Sequence, residues 1–188
     1  MARLPIKYFP DPILRAPTNK VSAFNTALHT LLDNMYETMV HADGLGLAAP
    51  QVGRSERLAI IDVTIEYMQK PLITSLSGHS AEAHIHEGRL ELINPHITSK
   101  SQRVAISEEG CLSIPSYRDS IKRHENIAVQ AQDRHGREFS LEAVELLSFA
   151  LQHEIDHLDG VLFVDHLSRL KKVLFKKWCI KNEFGLES

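Results

Sequence analysis

An apolar helix that carries two histidines and a glutamate constrains the fold of this chain more than any other feature of its sequence. Helical spacing predicts this helix over residues 143–157, and it ends in the segment HEIDH at 153–157. Residues four apart lie about 40° apart on a helix, so His153 and His157 present their imidazoles from one face. Most of the remaining helix is apolar, so it has to be covered on most sides, and buried imidazoles need a partner. A divalent metal supplies one, with Glu154 beside it for proton transfer; two solvated surface histidines are the alternative.

A catalytic metal site takes three protein ligands and leaves one position open, so a third ligand has to come from elsewhere in the chain. The metzincin extension is absent, because Phe163 stands where its third histidine would fall. Glu183 is the only glutamate well downstream before the tail. Cys111, in a polar turn after Gly110, offers a thiolate as third ligand; the alternative is a small buried core cysteine. Cys179, in the last apolar segment, is predicted to be such a core cysteine.

A glycine-rich segment, GLGLAAPQ at residues 44–51, is the second candidate for a ligand-binding element. A dinucleotide site would need a strand before it and a helix after it, whereas here a helix comes before and Pro50 blocks a helix after. Two glycines and two alanines instead let extended backbone lie close to a ligand. Gln51 is then placed to supply an amide donor at a reacting carbonyl.

The 188 residues predict a single domain, residues 1–188, of the α+β class. Antiparallel or mixed sheets are expected around the central metal-binding helix, with an N-terminal helix and a C-terminal helix. The helix predicted over 25–42 has an apolar face, namely Leu28, Leu31, Leu32, Met35, Met39 and Val40. The C-terminal helix is predicted over 167–181, within a terminal segment 167–188. The predicted strands are 58–63, 89–97, 101–107, 117–122, 127–133 and 137–142, the last two joined by a hairpin turn at 133–136.

Residues 64–88 show no clear period and are predicted to be an inserted loop or hairpin. The segment holds His79, His84 and His86, for which a solvated loop and a second metal site are the alternatives.

The overall composition excludes several classes of protein. A net charge of −3 gives no basic bias for obligate nucleic-acid binding. Two cysteines make no disulfide framework. No apolar run approaches the ~20 residues that span a bilayer, and the N-terminus lacks a signal-peptide pattern. We therefore expect a soluble cytoplasmic protein without membrane or direct DNA partners.

Three segments stand in order along the chain: GLGLAAPQ at 44–51, EGCLS at 109–113 and QHEIDH at 152–157. Together they resemble the motifs of the peptide deformylases, and the resemblance extends from about Pro10 to Leu167. It implies a metal-dependent hydrolase that removes the formyl group from the N-terminal formyl-methionine of new proteins. A metallopeptidase using the same helix, or a non-catalytic metal-binding or ribosome-associated module, are the alternatives.

The resemblance also implies a role for individual residues. The metal ligands it implies are Cys111, His153 and His157, holding one Fe²⁺ per chain, for which Zn²⁺ or Ni²⁺ can substitute. Glu154 would be the general acid and base, while Gln51 and the backbone N–H of Leu112 would stabilise the oxyanion. The substrate-binding positions it implies are Leu45, Gly46, Gly110, Arg118, Leu146, Phe149 and Ala150; for the last three, plain core packing is the alternative.

Partners follow from the same resemblance. The substrates would be N-formyl-methionyl nascent peptides, and a monomer is expected. The C-terminal helix is basic, with Arg169, Lys171, Lys172, Lys176, Lys177 and Lys181. Some family members dock such a helix on the ribosome near the exit tunnel, and a solvated polar face is the alternative. Glu109 and Arg123 are predicted to form an ion pair that holds the Cys111 turn; for Arg123, as for Arg118, a solvated surface charge is the alternative.

Overall fold

The computed structural model describes residues 2–63, 73–78, 85–86 and 88–184. Most of the predicted insertion 64–88, including His79 and His84, lies outside the described residues, as does the side chain of His86. The parts of it that are described form two strands, given below.

Helices flank the sheets of an α+β fold, as the sequence predicts. The helices are α1 (Thr26–His41), α2 (Glu145–Leu158) and α3 (Arg169–Lys181). The strands are β1 (Gly46–Ala48), β2 (Leu58–Asp62), β3 (Ile73–Gly78), β4 (Ile85–His86), β5 (Arg89–Lys100), β6 (Val104–Cys111), β7 (Ile114–His124), β8 (Asn126–Gln132) and β9 (Glu138–Val144). Short 3-10 turns lie at Pro12–Arg15, Ala49–Val52 and Phe163–His166.

The described strands form two separate sheets. The larger has the order β1-β2-β5-β8-β9-β3, with β4 added to β5, and the smaller is the hairpin β6–β7. Neighbouring strands in both sheets are antiparallel. The predicted strand at 117–122 is the central part of β7, and its partner β6 runs on to Cys111 itself. Cys111 is therefore fixed at a strand end and followed by a two-residue turn.

Strand β2 shows why the larger sheet can be covered on both faces. Its apolar run has no polar alternation, which is typical of a strand buried on both sides. Leu58 and Ile60 face the cluster formed with α1, whereas Ile61 faces the cluster formed with α2. The sheet thus separates the two helices, and α2 also contacts β7 of the hairpin. This places the predicted metal-binding helix at the junction of both sheets.

Helix α1 begins where Asn25 accepts a hydrogen bond from the Leu28 backbone N–H at 3.1 Å, an N-cap contact that satisfies a free helix-end donor. Its predicted apolar face is buried at Leu28, Leu32, Met35 and Met39. The prediction is wrong for Val40, which is 49% exposed because it lies about 100° around the helix from Met39 and about 140° from Met35, outside the buried face.

Helix α3 packs through Phe175 and Cys179, so Cys179 is a core cysteine as predicted. The rings of Phe175 and Trp178 contact Tyr117 of β7, with centroids 4.8 and 5.0 Å away. Its opposite face leaves Leu170, Val173, Leu174 and Ile180 exposed. Within the described ranges, no helix combines the length and the apolar character that crossing a bilayer requires.

Candidate metal centre and active site

Three potential metal ligands converge where the end of β6 meets helix α2. The Cys111 Sγ lies 3.2 Å from the His157 Nε2, which in turn lies 3.2 Å from the His153 Nε2. All three ligand atoms fall within 4.8 Å of one another. Across the part of the chain that the structure describes, this is the one cluster of histidine, cysteine and acidic side chains able to hold a metal ion.

The cluster fits a divalent transition metal. Ligand atoms at roughly 2.0–2.3 Å from one tetrahedral ion lie about 3.3–3.6 Å from each other, close to the two separations of 3.2 Å that His157 makes with Cys111 and His153. A thiolate and two imidazoles are ligands that such ions prefer. Burial lowers the pKa of His157 well below its usual value. His157 is therefore neutral, as a metal ligand must be.

A buried carboxylate lies next to these ligands. Glu154 is 4% exposed, and its Oε2 has no hydrogen-bond partner among the residues that the structure describes. Burial raises the pKa of the Glu154 carboxyl to about 7, so it exchanges a proton near neutral pH. The carboxylate lies so close to Gly46 that a Cβ there would be 2.4 Å from its Oε1. The carboxylate fits here because glycine at this position of β1 has no Cβ.

The amide of Gln51 is held in a fixed orientation toward the sulfur. Its Oε1 accepts a hydrogen bond from the Ala48 backbone N–H at 2.8 Å. Its Nε2 donates to the Cys111 Sγ and to the Ser113 Oγ, both at 3.3 Å. Gln51 lies in the 3-10 turn after β1 and is buried. An amide donor thus points into the site, and Leu112, directly after Cys111, lines the same cavity.

A second set of contacts orients the first histidine. The His153 Nδ1 donates to the Glu109 Oε2 at 2.8 Å, which leaves the lone pair of Nε2 for a metal. Arg123 binds both oxygens of Glu109, at 2.8 and 3.0 Å, so the predicted ion pair is present. Burial alone would raise the pKa of Glu109, but hydrogen bonds from His153 and Arg123 hold it down at about 2. Glu109 is therefore ionised at neutral pH.

A cavity of about 680 Å³ opens over the ligands. It brings together every substrate-binding position that the sequence suggested: Leu45, Gly46, Gly110, Arg118, Leu146, Phe149 and Ala150. Arg118 stands at the exposed rim, where its Nε lies 3.3 Å from the Glu108 Oε1. Sequence reasoning missed the contribution of Ile6, Tyr8 and Asp43 to the wall.

The N-terminal segment reaches the cavity through backbone hydrogen bonds to residues far along the chain, which local sequence patterns do not predict. Backbone N–H groups of Lys7 and Phe9 donate to the carbonyls of Gln51 and Ser113, at 2.7 and 2.9 Å. The downstream Glu183, considered as a third ligand for a peptidase, is not part of the metal-ligand cluster, and Phe163 is buried beside His153.

Comparison with known proteins identifies the family. The family model described as polypeptide deformylase matches residues 3–173. The chain belongs to the polypeptide deformylase family. A peptide deformylase of Thermodesulfovibrio yellowstonii is 44% identical over 177 residues, 94% of this chain and 96% of the relative. One from Acidobacterium capsulatum is 43% identical over 170 residues, 90% of this chain and 89% of the relative.

Solved structures of deformylases share the fold. A peptide deformylase from Legionella pneumophila superposes with a TM-score of 0.80 at 38% identity, covering 97% of this chain and 96% of that one. One from Synechococcus elongatus in complex with actinonin gives a TM-score of 0.81 at 36% identity, covering 98% of this chain and 90% of that one. The α+β architecture and the metal-dependent hydrolase class predicted from the motifs are therefore confirmed.

Proposed function

We propose that this protein removes the N-formyl group from the N-terminal formyl-methionine of newly made polypeptides and releases formate. The observation that carries the proposal is the meeting of Cys111, His153 and His157 beside a buried carboxylate in a chain of the deformylase family. The cysteine distinguishes this ligand set from that of peptidases with the same helix motif, whose third ligand lies downstream on the chain.

The resident metal that we propose is Fe²⁺, one per chain, with Zn²⁺ or Ni²⁺ as substitutes. Cys111, His153 and His157 would hold it. When bound, a divalent metal lowers the pKa of water toward neutrality and polarises an acyl oxygen. The Glu109 contact to His153 supports the assignment, since it presents the Nε2 of that ring to the ion.

Glu154 is the group that moves the proton. Its carboxylate takes a proton from the attacking water as the new C–O bond forms at the formyl carbon. It then delivers that proton to the departing amine nitrogen as the C–N bond breaks, which gives formate and a free N-terminus. A pKa of about 7, raised by burial, suits both steps, because a general acid and base works best near the ambient pH.

Gln51 and the Leu112 backbone N–H would stabilise the negative charge that develops on the former carbonyl oxygen. The amide of Gln51 is anchored at its oxygen by the Ala48 N–H, and one of the two hydrogens that its Nε2 donates to the Cys111 Sγ and the Ser113 Oγ would turn to the oxyanion. One such donor is worth about 3 kcal/mol in the transition state.

The cavity offers a place for the substrate on both sides of the reacting carbon. Leu146, Phe149 and Ala150 of α2 would take the methionine side chain. The backbone of Leu45, Gly46 and Gly110 would pair with the peptide as an added strand, because both segments are extended. Arg118 at the rim would meet residues further along the peptide.

The cellular setting is part of the proposal. The protein would act on nascent chains in the cytoplasm as a monomer of one domain, without direct DNA partners. The exposed cations of α3 would support docking on the ribosome near the exit tunnel, since most of that helix is exposed while Phe175 and Cys179 anchor it.

A formate-release assay on formyl-Met-Ala, with anaerobically prepared protein and measured metal content, tests the proposal. Wild type should release formate, and Glu154→Ala should keep the metal but lose at least about 10² in turnover. Cys111→Ser should lose metal or activity. Cleavage of an unformylated peptide bond in place of formate release would indicate the peptidase alternative. Full activity of either variant would contradict the assigned role.

A further inference from the structure

Side chains behind the metal ligands form a closed loop of hydrogen bonds that begins and ends on helix α2. His153 contacts Glu109, and Arg123 binds Glu109 through two nitrogens, as described above. The third nitrogen of Arg123, Nη1, donates to the Asp156 Oδ2 at 2.5 Å. Asp156 stands three residues after His153 on α2, so the series of contacts returns to the helix one turn from where it left.

This loop joins two parts of the fold that share no strand pairing. Glu109 and Arg123 lie on β6 and β7, and the hairpin that these strands form is separate from the larger sheet. Glu109 is two residues before Cys111, whereas His153 and His157 are on α2. The position of the sulfur relative to the imidazoles therefore depends on how the hairpin is fixed to the helix. Arg123, at 4% exposure, is a buried polar side chain between them, in addition to Ser148 and Gln152 of α2, which bond to the backbone of His124 in β7.

His166 completes the loop on its solvent side. Its Nε2 lies 2.7 Å from the Asp156 Oδ2 and 3.4 Å from the Arg123 Nη1. His166 belongs to the 3-10 turn that follows α2, and its side chain is 37% exposed. With its Nε2 donating, the ring restrains the Asp156 carboxylate in the orientation in which it meets Arg123.

We propose that Asp156, supported by His166, is a positioning residue that determines how long the site retains its metal. Neither side chain belongs to the ligand cluster; both act through Arg123 and Glu109. The inference rests on the metal site proposed above and not on the formyl-group reaction. Groups that orient a ligating histidine typically change metal affinity or activity by 10–100-fold.

The test measures the transfer of zinc from zinc-loaded protein to an excess of a coloured chelator. We expect Asp156→Ala to release zinc about 10–100 times faster than wild type, with the folded state checked by circular dichroism. Asp159→Ala is the matched control, because Asp159 follows α2 directly and forms an ion pair with Arg57 outside the loop, at 2.7 Å. That variant should release zinc at the wild-type rate.

His166 provides a second, conservative test that does not remove a buried charge. Gln at position 166 can donate from its Nε2, whereas Leu cannot, so His166→Leu should release zinc several-fold faster and His166→Gln should restore the wild-type rate. A double variant examines the route: with Glu109→Gln already present, Asp156→Ala should add less than about threefold, because coupled residues are not additive.

The outcomes separate the two proposals. If wild type fails to bind zinc, the metal site itself is wrong. If wild type retains zinc while Asp156→Ala releases it at the same rate, only the positioning role is overturned. If Asp156→Ala does not fold, equal release rates for wild type, His166→Leu and His166→Gln overturn the role just as directly.

Discussion

Replacing Gly46 by alanine should disable Glu154 without touching it. A methyl group at this position of β1 would lie 2.4 Å from the Glu154 Oε1, 2.8 Å from its Cδ and 3.0 Å from its Cγ. Ordinary contacts between heavy atoms are about 3.5 Å, so the carboxylate has to retreat by roughly 1 Å. Misplacing a reacting group by about 1 Å costs on the order of 10² in rate, or about 2.7 kcal/mol. The three atoms nearest such a methyl group all belong to Glu154, which is not part of the ligand cluster, so metal content should be unchanged.

Formate release from formyl-Met-Ala, normalised to bound metal, gives kcat/KM for this variant. The control is the same substitution in the Glu154→Ala background, where the obstructing atoms are gone. Overpacking costs about 1–3 kcal/mol, so Gly46→Ala should lower the free energy of unfolding in wild type and leave it nearly unchanged in that background. Activity of Gly46→Ala within threefold of wild type, or an equal stability loss in both backgrounds, would refute the reasoning.

Three further predictions concern charge and hydrogen bonding. Burial raises the pKa of Glu154 from 4.5 to about 7, so the folded state binds a proton that the unfolded state has lost between these two pH values. The metal-free protein should therefore lose up to about 3 kcal/mol of stability as the pH rises from 4.5 to about 7. Urea unfolding at pH 5 and pH 8 measures this loss, and Glu154→Gln should not show it. Glu91→Leu should cost about 3–5 kcal/mol in urea unfolding, since it removes the more deeply buried of the two carboxylates that Arg89 and Arg134 share, 3.0 and 2.5 Å away, and leaves them only the half-exposed Asp33 of the described residues. Exposed Glu108→Gln should change stability by less than about 0.5 kcal/mol, and a similar loss in both variants would contradict this. Gln51→Ala should lower kcat by about 10²–10³ at unchanged metal content, and a change confined to KM would argue against an oxyanion donor.

The local sequence pattern was sufficient to predict those elements whose structure follows from the periodicity of their apolar residues. Helices α1 and α2 begin and end within about two residues of their predicted bounds, because apolar spacing is a local signal. The continuous apolar run of β2 identified a buried strand for the same reason. Motif chemistry likewise pointed to Cys111, His153 and His157, which the fold brings together.

Contacts that depend on distant parts of the chain were beyond the sequence. That Lys7 and Phe9 pair with Gln51 and Ser113 is a matter of tertiary pairing, so the N-terminal wall of the cavity was missed. Strand β3 lies in the segment predicted to be an inserted loop or hairpin, and no local pattern indicated that it would pair with β9. The links from Arg123 to Asp156 and His166 need the hairpin and the helix to be docked first, which no spacing along the chain reveals.

Because the hairpin β6–β7 is separate from the larger sheet, a bound ion would have a structural role in addition to its chemical one. With one ligand at the end of the hairpin and two on α2, a bound ion cross-links the hairpin to the helix, and no described backbone pairing joins the hairpin to the larger sheet. When the free metal concentration is a thousand times the dissociation constant, metal binding raises the free energy of unfolding by about 4 kcal/mol. Opening of the hairpin and release of the ion should then occur together. The backbone amides of β6 and β7 should therefore exchange with deuterium at the rate at which the protein loses its metal.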